Sequence, residues 1–249
     1  MAAPLTSSTR NLLDALVTSQ GLYEESSTKL HPLGTKISCG DRTFRYAKAN
    51  EALTAGKLCT SVSTVETEDT VTVAHALGVE AVTVTFAGNR AADLFADGYL
   101  VVDEGTGLGD AYRIKGHKAI NATTGVINLY DGLLTAWVLA NTDVTLVTSP
   151  YLVQESNTDQ IEAPAGVPLI DVTSAYYFWL QTEGVSPLLI DATGTFGNLA
   201  SERLITISGA VAGAGAKYDA AGEPVVGRVL TDAADMDDAK YFPVYLMLE

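Results

Sequence analysis

The sequence predicts a mainly β protein, with two small β-barrel- or sandwich-like domains behind a short N-terminal helical arm. Short runs of β-branched and aromatic residues recur along the chain with Gly, Pro, Asp and Ser between them, the spacing of an all-β barrel or sandwich. Glycine is frequent, at 22 of 249 residues, and 47% hydrophobic against 18% charged residues marks a turn-rich globular chain rather than a disordered one. The pattern also changes at Arg42, where an amphipathic N-terminal segment gives way to strand alternation.

In the arm, residues 1–41, Ser8 or Thr9 is placed to cap a helix over residues 11–19, and Gly21 stands just past its end. Leu12, Leu13, Leu16 and Val17 fall on or near one face of that helix, which can dock on its own domain or on a neighbouring subunit. Residues 24–34 are polar and read as a tether. The first β domain, residues 42–158, opens with alternating large apolar and charged residues over 42–48, a half-buried strand, followed by a turn or helical turn over 49–56. Two β-branched runs, 70–75 and 81–86, read as neighbouring strands. Residues 89–97 fit a short helix ending at Gly98, and strands over 99–103 and 111–115 flank a glycine-rich loop as a hairpin. Further strands are expected over 125–130 and 143–148, and a proline followed by polar residues places the boundary near residue 158. The second domain, residues 159–249, has strands over 167–172, 176–182, 187–191, 204–208, 224–230 and 241–248, with a flexible Ala/Gly-rich loop over 209–216.

Charge narrows the classes of partner. Lys and Arg number 15 against 30 Asp and Glu, a formal net charge of -15, so the averaged surface field repels phosphate backbones and anionic lipid. Neither a nucleic-acid nor a membrane partner is expected. No apolar run approaches the roughly 18 residues that a membrane-spanning helix needs, and the N-terminus lacks a secretory pattern, so the protein is expected to act without secretion. Cys39 and Cys59 fit neither a disulfide framework nor a zinc site, leaving two free thiols or one bridge.

The motifs that would carry chemistry fail on spacing. Gly105-Thr-Gly-Leu-Gly109 lacks the G-x-G-x-x-G register and a P-loop lysine, and Asp110 follows it, so a hairpin loop is expected there. The acids of residues 232–238 are out of register for an EF-hand and read as a solvated loop, with weak calcium binding as the rival. His31, His75 and His117 show no ligand spacing, and no serine lies in a G-x-S-x-G elbow. The sequence therefore predicts no enzyme, and no catalytic, cofactor or metal residues. The densest aromatic run is Tyr176-Tyr-Phe-Trp179. Strand alternation sends Tyr176 and Phe178 to one face and Tyr177 and Trp179 to the other, so both faces carry aromatic area and both need a cover. Tyr177 and Trp179 become candidate interface anchors beside Leu12, Leu13, Leu16 and Val17; a carbohydrate platform is the competing use of the same rings.

Laid out this way, the chain resembles the capsid decoration (cement, head-stabilising) proteins of tailed bacteriophages. The resemblance rests on residues 44–56, 98–117, 127–133, 164–168, 176–184, 224–230 and 241–246, including Gly98-Tyr-Leu-Val-Val-Asp103 and Tyr176-Tyr-Phe-Trp-Leu-Gln-Thr-Glu-Gly184. It spans roughly residues 42–249 and is a pattern of strands and turns, with no functional motif to carry over. It implies a structural virion protein on the outer capsid surface, made in the host cytoplasm, commonly a homotrimer, that stabilises the shell by bridging subunits of the major capsid protein. A tail-associated or head-fibre protein binding a receptor or glycan is the alternative.

Overall fold

The computed structural model describes residues 20–62, 65–121, 123–139, 141–192, 196, 203–230 and 237–249. These residues form sixteen strands. In chain order they are β1 (Lys36–Cys39), β2 (Arg42–Ala49), β3 (Cys59–Ser61), β4 (Val65–Thr70), β5 (Ala81–Thr85), β6 (Tyr99–Gly105), β7 (Ala111–His117), β8 (Thr124–Leu129) and β9 (Thr142–Val147). Then follow β10 (Leu152–Glu155), β11 (Pro164–Pro168), the long β12 (Tyr177–Ile190), β13 (Leu204–Ile207), β14 (Gly215–Lys217), β15 (Gly227–Val229) and β16 (Lys240–Met247).

The mainly β architecture with two sheets is as expected, but the helical arm needs correcting, because no α-helix occurs among the described residues. The helix expected over residues 11–19, with Leu12, Leu13, Leu16 and Val17, lies outside the described residues. The described part of the arm is neither helical nor a free tether. Residues 20–35 run in turns against the sheet, and β1 pairs with β2 from Lys36↔Arg45 to Cys39↔Arg42. Only Gly40 and Asp41 separate these strands, and Gly40 holds φ +65° at the first central position, where a two-residue hairpin of type II′ wants glycine. The helix expected over 89–97 is also absent. That segment is a series of turns in which Asp93 (φ +58°) and Asp97 (φ +59°) take the left-handed conformation, which aspartate tolerates better than most residues and which stops helix propagation.

The chain divides into two compact units that are not end to end. One comprises Met1–Ser61 with Tyr151–Glu249, and the other is the inserted Val62–Pro150. The boundary expected near residue 158 falls just past the return crossing, and the crossing at Ser61 has no counterpart in the sequence reading.

In the larger unit, strand pairing closes two five-membered rings. The first runs β2-β10-β3-β11-β12 and back to β2; the second runs β12-β14-β13-β15-β16 and back to β12. Strand β12 belongs to both. Its first half sends Phe178 and Leu180 into a core with Ala47, Cys59, Val153 and Ala165, so all five strands of the first ring contribute to that core. Its second half sends Leu188 and Ile190 into a core with Ile205, Ile207, Val229, Val244 and Leu246. The sequence pattern splits β12 into strands over 176–182 and 187–191, with Gly184 and Ser186 between them. Instead Gly184 (φ +86°) sits beside a bulge at Gln181/Glu183, and a Cβ there would lie 2.4 Å from the Asp41 carbonyl oxygen. Glycine lets the strand pass close to the β1–β2 hairpin and re-aim without breaking.

The inserted unit is one antiparallel sheet in the order β4-β9-β6-β7-β8-β5. The strand expected over 70–75 instead lies at Val65–Thr70, and the two edge strands meet only at the bridge Val71↔Val84; the core gathers Phe86, Phe95, Leu100, Tyr112, Ile127, Trp137 and Leu146. The hairpin between β6 and β7 is present, and Gly105, Gly107 and Gly109 all take positive φ, so the glycines serve the turn. Connections β4–β5, β6–β7 and β8–β9 lie at one end of this sheet. The β5–β6 and β7–β8 connections, with Val62 and Pro150, lie at the other.

Candidate functional site

The aromatic stretch of β12 sorts by face as strand alternation requires. Phe178 is fully buried in the first ring, whereas Trp179 joins Leu33, Ile37, Phe44 and Tyr46 in a separate cluster on the opposite face. Its cover is the chain's own residues 20–37, and one glutamine makes several of the polar contacts that fasten it. Gln20 is buried. Its carbonyl accepts the Trp179 indole N–H at 3.0 Å, its Oε1 accepts the Tyr46 hydroxyl at 2.8 Å, and its Nε2 donates to the carbonyls of Tyr177 and Glu24, both at 2.9 Å. Ser26 and Tyr177 exchange two backbone hydrogen bonds, and the Glu25 carboxylate accepts the backbone N–H and the hydroxyl of Thr173. The His31 ring completes the packing, 5.0 Å from Tyr46 and 5.4 Å from Trp179 between centroids, and burial pushes the Tyr46 phenol above its usual pKa. Trp179 is 1% exposed and offers no surface to a partner or a sugar in this chain; Tyr177 is half-buried, with Lys48 over its ring. Sequence pattern gave no sign of Gln20, because a polar residue beyond a predicted helix end reads as solvated.

The β1–β2 edge of this face is tied down by Glu249. Its carboxylate accepts from Arg45 at 2.7 and 2.9 Å, from Lys36 at 2.9 Å and from the Thr182 hydroxyl at 2.6 Å. The Arg45 guanidinium, helped by Thr182 and Lys36, holds the Glu249 pKa down to about 2.

Both histidines of the inserted unit and its buried Asp97 are engaged within the fold. A cleft of about 620 Å³ in the inserted unit is lined by Glu80, Asp93, Lys115, His117, Lys118 and Asn128. His117 cannot act there as a base. Its Nε2 accepts the Phe95 N–H at 3.2 Å, which places the ring proton on Nδ1, and that proton is donated to the Lys118 carbonyl at 2.9 Å. His75 Nε2 likewise accepts the Thr83 N–H at 2.9 Å, and burial lowers its pKa, so the ring is neutral at pH 7. The buried Asp97 accepts the Tyr130 hydroxyl at 2.9 Å and faces Arg113 at 3.7 Å. Cys39 is exposed and Cys59 buried; both are free, and burial raises the Cys59 pKa well above its usual value. Of the acids in 232–238 only Asp237 and Asp238 are described, and they bond Lys240 and the Ala192 N–H. No group of three or more His, Cys, Asp or Glu residues placed to hold a metal occurs among the described residues.

One region has the opposite character. At the end of the inserted unit that carries the β4–β5, β6–β7 and β8–β9 connections, three loops are laced around the buried Trp137. His75 and Trp137 form a bridge, Gly78 N–H donates to Leu133 O, Leu133 N–H to Val79 O, and Leu134 N–H to the Tyr112 hydroxyl. The Trp137 ring lies 6.0 Å from both His75 and Tyr112, and a Cβ on Gly107 would come within 3.3 Å of its Nε1. Around this keystone Leu77, Leu108 and Leu134 are about two-thirds exposed (67%, 69% and 70%), and Val73, Val138 and Leu139 about half. Sequence reading missed this end because its leucines and valines fall in loops that show no period.

No protein-family model matches the chain, and no curated protein or solved structure is similar to it at a significant level.

Proposed function

We propose that this chain is a structural protein of a tailed-phage head, a capsid decoration or cement protein that works by binding and not by chemistry. One contrast carries the reading: the histidines, buried acids and aromatic strand are engaged inside the fold, while large aliphatic side chains stand exposed on well-anchored loops at one end of the inserted unit. Monomeric proteins rarely leave apolar patches of more than a few hundred Å² uncovered unless a partner covers them. The resemblance of residues 42–249 supplies the partner class, the major capsid protein on the outer face of the shell, with a homotrimer as the assembly. The net charge of -15 agrees with a place outside the packaged nucleic acid. For the glycan-binding alternative, Phe178 and Trp179 are buried, which leaves the half-buried Tyr176 and Tyr177 as the rings a sugar could reach.

The reading is tested with phage heads purified with and without this chain. Adding the purified chain to depleted heads is expected to give binding that saturates at a copy number set by the shell lattice, and to raise the temperature at which the heads release their DNA. Heads equally heat-resistant without it, or a few copies located only at the tail, would overturn it.

A further inference from the structure

We infer that the loop end of the inserted unit docks onto a protein surface that is apolar at its centre and basic around its rim. The inference deepens the proposed function and rests on it only for the name of the partner. The centre of the patch is aliphatic: Val73, Leu77, Leu108, Leu134, Val138 and Leu139. The charge carried by its loops has one sign. The loops of residues 71–80, 104–110 and 130–141 contain Glu80, Glu104, Asp110 and Asp131 but no Lys or Arg, and Asp103 and Asp143 flank them in β6 and β9. The unit's cations, Arg90, Arg113, Lys115 and Lys118, lie in β7 or in the connections at the opposite end; Lys115 and Lys118 share a cleft with Glu80, and Arg113 lies over the Tyr130 ring, so the unanswered acids are Glu104, Asp110 and Asp131 with Asp103 and Asp143. Arg90 pairs with Glu66 there, and Arg113 with Asp97. His75, the one titratable base in the loop end, is kept neutral because its Nε2 accepts the Thr83 N–H in a buried setting.

An aliphatic centre gains by excluding water, and loops that carry only acids select for Lys and Arg opposite them while steering their approach. The same acids disfavour a second copy of this end, since like charges would face one another across the contact, and they disfavour an anionic membrane surface. The loops are suited to a rigid contact, because the hydrogen bonds around Trp137 hold their backbone before any partner arrives.

The probe is a synthetic amphipathic helical peptide with a leucine face bordered by lysines, mixed with the full chain and followed by hydrogen–deuterium exchange and titration; a leucine/glutamate peptide is the control. The lysine peptide is expected to protect residues 73–79, 106–110 and 131–139, to bind more weakly as salt rises, and to lose at least about tenfold in affinity to the L77D/L134D double variant. Both positions are exposed, so the variant should retain the wild-type melting temperature. Absence of binding, protection elsewhere on the chain, equal binding of the glutamate peptide, or undiminished binding by the variant would each overturn the inference. So would self-association of the wild-type chain that L77D/L134D abolishes, which would assign the end to a second copy. Depleted heads separate this from the broader reading. Heads that bind wild type and L77D/L134D alike leave the capsid assignment standing and remove this surface from it. Heads that refuse the wild-type chain, with the peptide map intact, remove the capsid assignment alone.

Discussion

The aromatic face of β12 and the loop end of the inserted unit are both rich in large apolar side chains, yet one is sealed by its own chain and the other is not. What separates them is how each backbone is satisfied. On β12 the cover is brought down by polar contacts, with Gln20 answering Trp179, Tyr46 and Tyr177 together. At the loop end the hydrogen bonds lace the three loops to each other around Trp137 and leave the leucines outside. Density of aromatic residues is thus a poor guide to exposure. The location of backbone and side-chain partners is a better one.

The largest test of this contrast is Trp179→Ala, which should cost about 3–5 kcal/mol of unfolding free energy in urea, the usual loss for a buried tryptophan. A loss below about 1 kcal/mol would mean that the face is not sealed. Gln20→Ala should cost about 1–3 kcal/mol, because it leaves the Tyr46 hydroxyl without its acceptor in a buried site. The same change should speed amide exchange over residues 22–35 while leaving the inserted unit unaffected.

Acid should loosen the edge of the sealed face. Glu249 has a folded pKa of about 2, below its ordinary value of 4.5, so its contribution is fully present above about pH 4.5 and is lost as pH falls toward 2. Melting temperature measured across that window should fall less steeply in Glu249→Gln than in wild type; identical slopes would show that the Arg45 contact does not couple to folding. The smallest effect is expected at the open end. Leu77→Asp should change stability by no more than about 0.5 kcal/mol, as exposed substitutions do, and a larger loss would show that Leu77 is covered.

Local pattern read well where a strand's partners do not matter. The strand over 42–48, the alternation over 176–179 and the hairpin around the 105–109 glycines are properties of a few successive residues and are present, although β2 is buried on both faces and not on one as the alternation predicts. What failed depends on partners distant in sequence. Residues 89–97 have helical composition but are held in turns by contacts such as His117 N–H to Asp93 at 2.9 Å. Gly184 divides two expected strands until Asp41 is seen beside it. The hairpin between β1 and β2 was nonetheless available, since Gly40-Asp41 stands between two runs that can pair. The cover over Trp179 was not, because it joins residues 159 apart. At the loop end the exposed side chains were visible as letters, but their convergence needs three connections brought to one end of a sheet.

The shared strand β12 sets an order of events during synthesis. Every strand of the inserted unit lies between residues 62 and 150, so that sheet can pair as soon as β9 has left the ribosome. Strands β2, β3 and β10 emerge early but cannot close their ring until β12 arrives, and the second ring waits further, for β16. Until then the inner faces of Ala47, Cys59 and Val153 have no lid, and loop closure over so long a span is slow. A ribosome pause ahead of residue 177 would therefore lengthen the interval in which the nascent chain needs a chaperone, whereas a pause after β16 has emerged would not.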